Sequence, residues 1–428
     1  MRRYARIAFF LLLLSIPIQL GKHFWPEFSF VQGIRVDYLS PTLYISDLFF
    51  VLLFLLSFYK LKARLFSLFK SQPGMILITT LLVSTLLAVN RDAAFFGILK
   101  LMEFIYIAVY VSEEYQKKDI EPSLFIVTIG ALVETVILVF QFFSQHSLGG
   151  LFYFLGERTF NPATPGIAKL QFLGNELLRP YGTFPHPNVL AFYLLFVCAW
   201  LLSSLTNKKN LLLYLKLGVI SLLSLGIFLT FSRIVILLWI IIVVTYSYKK
   251  TAQFSKKTKV KIFSVLFSGI FILGVLFFQR FETSLIKDIM LRNDLVLLSL
   301  RIIFAHLLFG VGINNFFYNE ILLQKTVSPI LLQPVHNIYL LWLCQVGLFG
   351  LIPFYYCVKK PILTGISLFR SQNYKNKFYE FAVVIFFCVL IAGFFDHYFF
   401  TLQQGQLMTA LIIGFCYSKI KDHPTGVV

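Results

Sequence analysis

The hydrophobic runs of this chain constrain its fold more than any other feature. Long apolar stretches follow one another along 428 residues, and short basic segments separate them. The mean hydropathy is +0.81, and only 13% of the residues are charged. Soluble domains carry about 25% charged residues and lack repeated runs of about 20 apolar positions, the length that crosses a bilayer core. We therefore predict a polytopic membrane protein that forms a single domain over residues 1–428.

The spacing of these runs predicts an all-α fold with about twelve transmembrane helices. The predicted spans are 4–20, 41–59, 73–89, 93–111, 122–143, 188–206, 211–229, 234–248, 262–278, 337–357, 378–394 and 402–418. If the N-terminus is inside, 24 basic residues fall in inner segments and 12 in outer ones, the bias expected when both termini are cytoplasmic. Two large extracytoplasmic loops remain, 144–187 and 279–336. The second is expected to carry short interfacial helices and to act as a lid.

Charge and cysteine content exclude further classes of protein. The net charge of +19 lies in the short segments between spans, which is a pattern of membrane topology rather than of nucleic-acid binding. All five cysteines lie inside apolar runs without CxxC spacing, so they are predicted to be buried small side chains. The outer carboxylates and histidines lack DxD or HxxxH spacing, and neither a metal nor a cofactor is expected.

The predicted topology brings several polar groups to the outer face. They are Arg179 to Asn188, Ser232 with Arg233, Arg292 to Gly312, His336 with Asn337, and Asp396 with His397. Arg233 lies in a turn between two apolar helices, where a guanidinium either faces an anion or snorkels to the lipid head groups. Because the guanidinium is always charged and planar, Arg233 and Arg292 are suited to bidentate binding of phosphate oxygens.

Two histidines of this face have different predicted roles. His336 lies just before a span, where a neutral imidazole could accept a proton from a hydroxyl or could simply bond a neighbouring backbone group. His186 lies between two prolines and is predicted to be structural, and Asn188 is expected to cap the sixth helix. The segment from Gly310 to Gly312 could form a backbone nest for phosphate, although such a pair is more often a turn.

Four motifs follow one another along these segments. They are Gly-Thr-Phe-x-His-Pro-Asn at 182–188, Thr-x-Ser-Arg at 230–233, an arginine-bearing helix that enters Gly-Val-Gly at 292–312, and His-Asn-x-x-Leu at 336–340 followed by Gly-Leu-x-Gly at 347–350. In this order and spacing the chain resembles the O-antigen ligase and polymerase-like membrane glycosyltransferases over about 179–353. It departs from the family at Val296, where tryptophan is frequent, and at Ala305-His306-Leu307, which replaces Asp-His-Pro.

The resemblance implies a GT-C-like fold and an activity at the outer face of the bacterial inner membrane. A glycan would pass from an undecaprenyl or other polyprenyl diphosphate carrier to a hydroxyl of a glycan, lipid or protein acceptor, with inversion and without a metal. The resemblance implies that His336 is the general base and that Arg233 and Arg292 bind the departing diphosphate. The further substrate-binding residues that it implies are Arg179, His186, Arg301 and Asn337. It does not separate a ligase from a polymerase.

Two other classes stay open on the sequence alone. A transporter or flippase could line a substrate path with the same arginines and histidine, but it should place polar groups near the midplane on broken helices. The intramembrane ionisable residues predicted here are few, namely Asp47, Lys100, Glu103, Glu134 and Lys216. A structural partner in an envelope complex would tolerate substitution of the outer arginines and histidine.

Overall fold

The structure, a computed structural model, describes residues 2–172, 175–206, 210–250, 282–323, 332–370 and 376–420. It is mostly helical. The α-helices are α1 (Arg2–Ser15), α2 (Ile45–Lys70), α3 (Gln72–Leu87), α4 (Arg91–Glu114), α5 (Ile120–Ser144), α6 (Pro187–Ser203), α7 (Leu211–Leu229), α8 (Arg233–Lys250), α9 (Glu282–Ala305), α10 (Phe316–Leu323), α11 (Ile338–Val346), α12 (Leu351–Arg370), α13 (Lys377–Ala392), α14 (Tyr398–Thr401) and α15 (Gln403–Tyr417). The predicted ninth span, 262–278, lies outside the described residues.

Helices lie at the other predicted positions, but fewer of them than expected could cross a membrane alone. Within the described ranges, three helical segments are long and apolar enough: Arg91–Glu114, Lys117–Ser144 and Leu211–Leu229. A fourth is added if Ile338–Val346 and Leu348–Ser367, which meet at 120°, form one broken span. Helices α1, α3 and α6 have 14, 16 and 17 residues, fewer than the roughly 20 that a straight crossing needs. The prediction of twelve spans is therefore not confirmed.

Helix α6 forms the centre of the bundle. Every residue from Val189 to Cys198 is fully buried, because α5, α7, α8, α13 and α15 pack around this helix. A helix that is apolar on all sides is stable only when it is enclosed. Near its C-terminal end, the ring of Trp200 stacks on Phe381 of α13 with centroids 5.0 Å apart. The position of the first residues of α6 is therefore fixed by the core, and these residues belong to the site described below.

Three short antiparallel ribbons interrupt the helical fold and were missing from the all-α prediction. They are β1 (Gly21–His23) with β4 (Thr42–Tyr44), β2 (Phe30–Val31) with β3 (Ile34–Arg35), and β5 (Lys169–Phe172) with β6 (Asn175–Leu178). The hairpin between β2 and β3 turns at Gln32 and Gly33, both at positive φ, as two-residue hairpin loops require. Strands of two to four residues are too short to produce a readable alternation of polar and apolar positions.

The predicted lid, 279–336, is described in part. Its N-terminal part is α9, a single helix of 24 residues, where short interfacial helices were expected. The sequence of α9 contains neither glycine nor proline, so nothing in it ends the helix early. A turn leads from α9 to the shorter α10, whose Phe316 and Phe317 are buried.

Candidate active site

Two polar side chains of α5 hold the loop 179–188 in place. The side-chain amide of Gln141 accepts a hydrogen bond from the Gly182 N–H at 2.7 Å and donates one to the Gly182 carbonyl at 2.9 Å. The Glu134 carboxylate accepts a hydrogen bond from the Thr183 N–H at 2.9 Å. Gly182 has a φ of +59°, and a Cβ there would lie 2.2 Å from Oε2 of Glu134. The glycine of the first motif is thus required for the approach of the carboxylate, a role for Glu134 that the sequence does not reveal.

The end of this loop begins α6 in a way that differs from the prediction. The N-cap is His186, whose Nδ1 accepts from the Asn188 N–H at 3.1 Å, and Pro187 takes the first helical position. Asn188 is therefore not the cap. Its side chain instead accepts a hydrogen bond from Nη2 of Arg179 at 2.7 Å and donates one to Asp396 at 2.7 Å. Asn188 thus connects an arginine to a carboxylate that is 208 positions away in the sequence.

Three side chains from distant parts of the chain meet beside this bridge. His336 precedes α11, and Asp396 and His397 follow α13. The rings of His336 and His397 have centroids 5.0 Å apart and are inclined by 67°. The Asp396 carboxylate accepts the backbone N–H of His397 at 2.8 Å, and Nδ1 of His397 lies 2.7 Å from Oγ1 of Thr401. One ligand atom from each of the three lies within 4.8 Å of the others, so this group could hold a metal ion, which the sequence spacing did not indicate.

Two of the predicted arginines line the same cavity as His336. Arg292 donates from Nη1 to the carbonyl of Phe395 at 3.1 Å, directly before Asp396. Arg179 donates from Nε to the carbonyl of Thr230 at 2.9 Å. Arg233, three residues beyond Thr230, is exposed at the start of α8 and lies outside the cavity wall that the described residues form. The pKa of Arg179 is lowered, first by burial and also by the charge of Arg233, so the two guanidinium groups act on each other.

The remaining predicted residues have other surroundings. Asn337 caps α11, with Oδ1 accepting from two backbone N–H groups at 2.9 and 3.0 Å. Arg301 is exposed on α9 and is not part of the described cavity wall. The N–H groups of Val311 and Gly312 donate to carbonyls at the end of α11, at 2.8 and 2.9 Å. They are therefore not directed at a phosphate, and the Gly-Val-Gly segment is a turn that packs on α11.

The site opens into a cavity of about 1600 Å³. At one end the wall contains Arg179, Arg292, His336 and Asp396. From there the cavity continues between α4, α12 and α15, where the lining is largely apolar. One continuous space therefore offers cationic groups at this end and a largely apolar groove beyond them, whose wall also includes the charged residues Lys100, Arg64, Lys360 and Lys419.

Burial and charge set the protonation states of the site. The pKa of His186 is lowered to about 3, first by burial and then by the charge of Arg179. The pKa of His397 is also lowered to about 3, first by burial and then by charge at His336. Burial alone would raise the pKa of Asp396, but the neighbouring histidines and the Asn188 hydrogen bond outweigh it and lower the pKa to about 2. At neutral pH the site thus combines the ionised carboxylate of Asp396 and the neutral imidazoles of His186 and His397 with cationic arginines.

Apolar helices and a largely apolar groove with an arginine-rich end are features of a membrane protein whose site could receive an anion. Residues 218–355 match the family model described as O-antigen ligase, which confirms the resemblance and indicates a glycosyltransferase of the ligase or polymerase type. Comparison with curated proteins finds no match. The matched segment includes Arg233, Arg292 and His336, whereas Arg179 and Asp396 lie outside it.

Proposed function

We propose that this protein transfers a glycan from a polyprenyl diphosphate carrier to a hydroxyl acceptor at the extracytoplasmic face of the bacterial inner membrane. Both termini would then lie in the cytoplasm. The observation that carries this proposal is the convergence of Arg179, Arg292 and His336 on one cavity, with Asp396 bonded into the same network. These residues come from four separate parts of the chain, and a helix bundle has no packing reason to collect them at the end of an apolar groove.

The proposed chemistry assigns one role to each group. His336, as the general base, accepts the proton of the acceptor hydroxyl while that oxygen forms a bond to the anomeric carbon from the side opposite the diphosphate. The bond between the anomeric carbon and the diphosphate oxygen breaks, and the electron pair leaves with the diphosphate. Configuration at the anomeric carbon is inverted. Asp396 stabilises the imidazolium that forms at His336, since its carboxylate stays ionised beside this ring.

The arginines would stabilise the charge that develops on the leaving group. Arg292 and Arg179 line the cavity and are fixed by hydrogen bonds to backbone carbonyls, so that little reorganisation is needed when the diphosphate departs. Arg233 would act from the rim of the site, through its charge. His186 and Asn337 would support substrate binding indirectly, because each caps a helix that begins at the site. We assign Arg301 the weakest role, since it lies outside the described cavity wall.

The apolar length of the cavity fits the proposed donor. A polyprenyl chain lying between α4, α12 and α15 would remain in a hydrocarbon-like environment while its diphosphate reaches the arginines. Such a pose needs no extraction of the lipid from the bilayer. It also explains why a lipid-linked donor would be preferred over a soluble sugar nucleotide.

The proposed reaction does not use a metal. Metal binding at His336, Asp396 and His397 would place a cation on the ring of the proposed base, and the adjacent arginines disfavour a cation. We therefore expect transfer to continue in the presence of a chelator, and Zn²⁺ to inhibit rather than activate. Chelator-sensitive turnover that Zn²⁺ restores would assign the triad to a metal site instead.

The test is transfer by the purified full-length protein in lipid nanodiscs. A polyprenyl diphosphate oligosaccharide is supplied with a lipid acceptor, a free oligosaccharide acceptor, or the donor alone. Wild type is expected to elongate or ligate the glycan, while His336→Ala and Arg292→Gln retain the thermal unfolding profile and lose turnover. Arg91→Gln removes the same charge from the exposed first residue of α4, outside the cavity wall, and should behave as wild type. Full turnover by His336→Ala would reject the base assignment.

One observation supports the competing transport function. The same cavity also borders Arg64, Lys360 and Lys419, which the topology prediction places at the cytoplasmic side. A flippase would move labelled polyprenyl diphosphate glycan between leaflets of a proteoliposome without forming a new glycosidic bond. Detection of that movement with no transfer product would favour the transporter.

A further inference from the structure

A polar and aromatic surface outside the matched segment forms part of the cavity wall near the site. We define the ribbon wall as His23, Tyr38, Thr42 and Arg158, all of which line the cavity. The first three belong to the ribbons and turns between α1 and α2, and Arg158 belongs to the loop after α5. None of these residues is used by the proposed proton transfer or by diphosphate binding.

Tyr38 connects this wall to the site. Its ring lies edge-on to that of His397, with centroids 5.5 Å apart. On another side it stacks on Phe317 of α10, with centroids 5.8 Å apart and an interplanar angle of 15°. His397 in turn contacts His336. A group bound against Tyr38 would therefore lie next to the proposed base.

His23 is held rigidly in the same wall. Its Nδ1 lies 2.8 Å from Oγ1 of Thr42 and 3.1 Å from Oγ of Ser40. Its ring is stacked on Trp25 at 5.6 Å, and the guanidinium of Arg35 covers that indole at 4.6 Å. The imidazole therefore has one fixed orientation, and within the described part of the chain Nε2 has no hydrogen-bond partner. Such a preorganised polar ring at a cavity wall is suited to bonding a sugar hydroxyl.

Arg158 supplies a cation that forms no ion pair with another residue in the described part of the chain. It is exposed to the cavity, and no hydrogen bond or ion pair to another described residue involves its guanidinium. The preceding carboxylate, Glu157, is already used, because it accepts from Gln141 Nε2 at 2.8 Å and from the N–H groups of Leu148 and Gly149 at 2.7 Å. The Arg158 backbone is thus anchored while its charge remains available.

The charges of the wall favour an anionic ligand. The pKa of His23 is lowered, first by burial; the charge of Asp37 raises it, and the charges of Arg35 and Arg158 lower it, so two guanidinium groups and one carboxylate act on this ring. Asp37 also lines the cavity, and its carboxylate forms an ion pair with Nε of Arg35 at 3.4 Å. A guanidinium in this setting matches the geometry of a carboxylate with two parallel hydrogen bonds.

We propose that the ribbon wall is a glycan subsite that binds an acidic sugar, with the sugar ring against Tyr38 and its carboxylate on Arg158. The inference deepens the proposed function and rests on it, because it names the substrate class at the same site. Selection of the glycan would then depend on residues 21–44 and 158, which lie outside the segment that matches the family.

The first experiment measures binding without any transfer reaction. The full-length protein in nanodiscs is titrated with a tetrasaccharide that contains glucuronate and with its carboxyl-reduced, glucose-containing counterpart. We expect the acidic form to bind about tenfold more tightly, the range of a charged hydrogen bond, and the difference to shrink as salt increases. Arg158→Gln should abolish this preference, and Arg91→Gln should keep it. Equal binding of the two sugars by wild type, no binding of either, or an unchanged preference in Arg158→Gln would overturn the subsite.

The second experiment separates this inference from the proposed function. In the transfer assay with an acidic polyprenyl diphosphate glycan, Arg158→Gln should raise KM about tenfold and leave kcat nearly unchanged, whereas Tyr38→Leu should raise KM for acidic and neutral glycans alike. If wild type transfers glycans and Arg158→Gln has the wild-type KM, the subsite is wrong and the function stands. If nothing is transferred but the binding preference persists, the subsite stands and the function fails.

Discussion

Replacement of Asp396 by asparagine tests whether the buried carboxylate assists proton transfer to His336. A ring nitrogen of His336 and a carboxylate oxygen of Asp396 lie within 4.8 Å of each other. At that distance, and with an effective dielectric constant of about 20, a carboxylate stabilises a full positive charge on the imidazole by about 3 kcal/mol. Such a loss from the transition state corresponds to a fall in kcat of about 100-fold. Since the carboxylate acts on the charge that forms during the reaction, KM should change little.

The assay is transfer at saturating donor and acceptor as a function of pH. Loss of the negative charge should also lower the pKa of the base, so the limb where kcat rises with pH should move to lower pH. A variant that is merely misfolded would lower kcat by the same factor at every pH. Asp92→Asn, at an exposed position in the first turn of α4, is the matched control and should resemble wild type. A folded Asp396→Asn protein with kcat within about threefold of wild type would refute the electrostatic argument.

Three further predictions follow from particular contacts. Gly182→Ala should strongly reduce both thermal stability and transfer. The alanine Cβ would lie 2.2 Å from Oε2 of Glu134, and the backbone there is in the left-handed region. An unchanged melting temperature would contradict this prediction. Arg301→Gln should lower transfer far less than Arg292→Gln, and equal losses in the two variants would place Arg301 in the site. Lowering the pH from about 6.5 towards 3 should destabilise the protein, because His186 and His397 bind protons in the unfolded chain but not while they are buried. Calorimetry across this pH range measures the effect. A melting temperature that does not change with pH would contradict the burial of these two rings.

The helical positions were predictable because each requires only a local pattern. Apolar runs of sufficient length are visible in the sequence, and helices occupy most of them. The break between α11 and α12 was not visible, because a glycine inside an apolar run does not by itself indicate a bend. Gly347 takes a φ of +63°, and a Cβ there would lie 2.3 Å from the carbonyl oxygen of Leu308. The bend therefore depends on a close approach between distant segments, which no local window contains.

The site was predictable to the extent that its residues stand in recognisable motifs. The topology prediction placed Arg179, Arg292 and His336 on one face, and in the structure these three line one cavity. The roles of Asn188 and Asp396 escaped prediction, since their hydrogen bond joins positions 208 residues apart and neither residue is unusual in its own segment. The possible metal ligands His336, Asp396 and His397 were missed for the same reason. His336 is remote in sequence from the other two, and rules based on sequence spacing detect only ligands that are close together in the chain.

Charge balance gives the strongest physical reason to expect an anionic ligand. The site contains the guanidinium groups of Arg179 and Arg292, and Arg233 lies at its rim. Asn188 connects Arg179 to the carboxylate of Asp396. Burial lowers the pKa of Arg179 to about 10, which records the cost of keeping that cation away from water. Apolar side chains could pack at this position without that cost. A diphosphate entering from the apolar groove would supply the missing negative charge where the arginines are already fixed, and the same charge would increase as the glycosidic bond breaks.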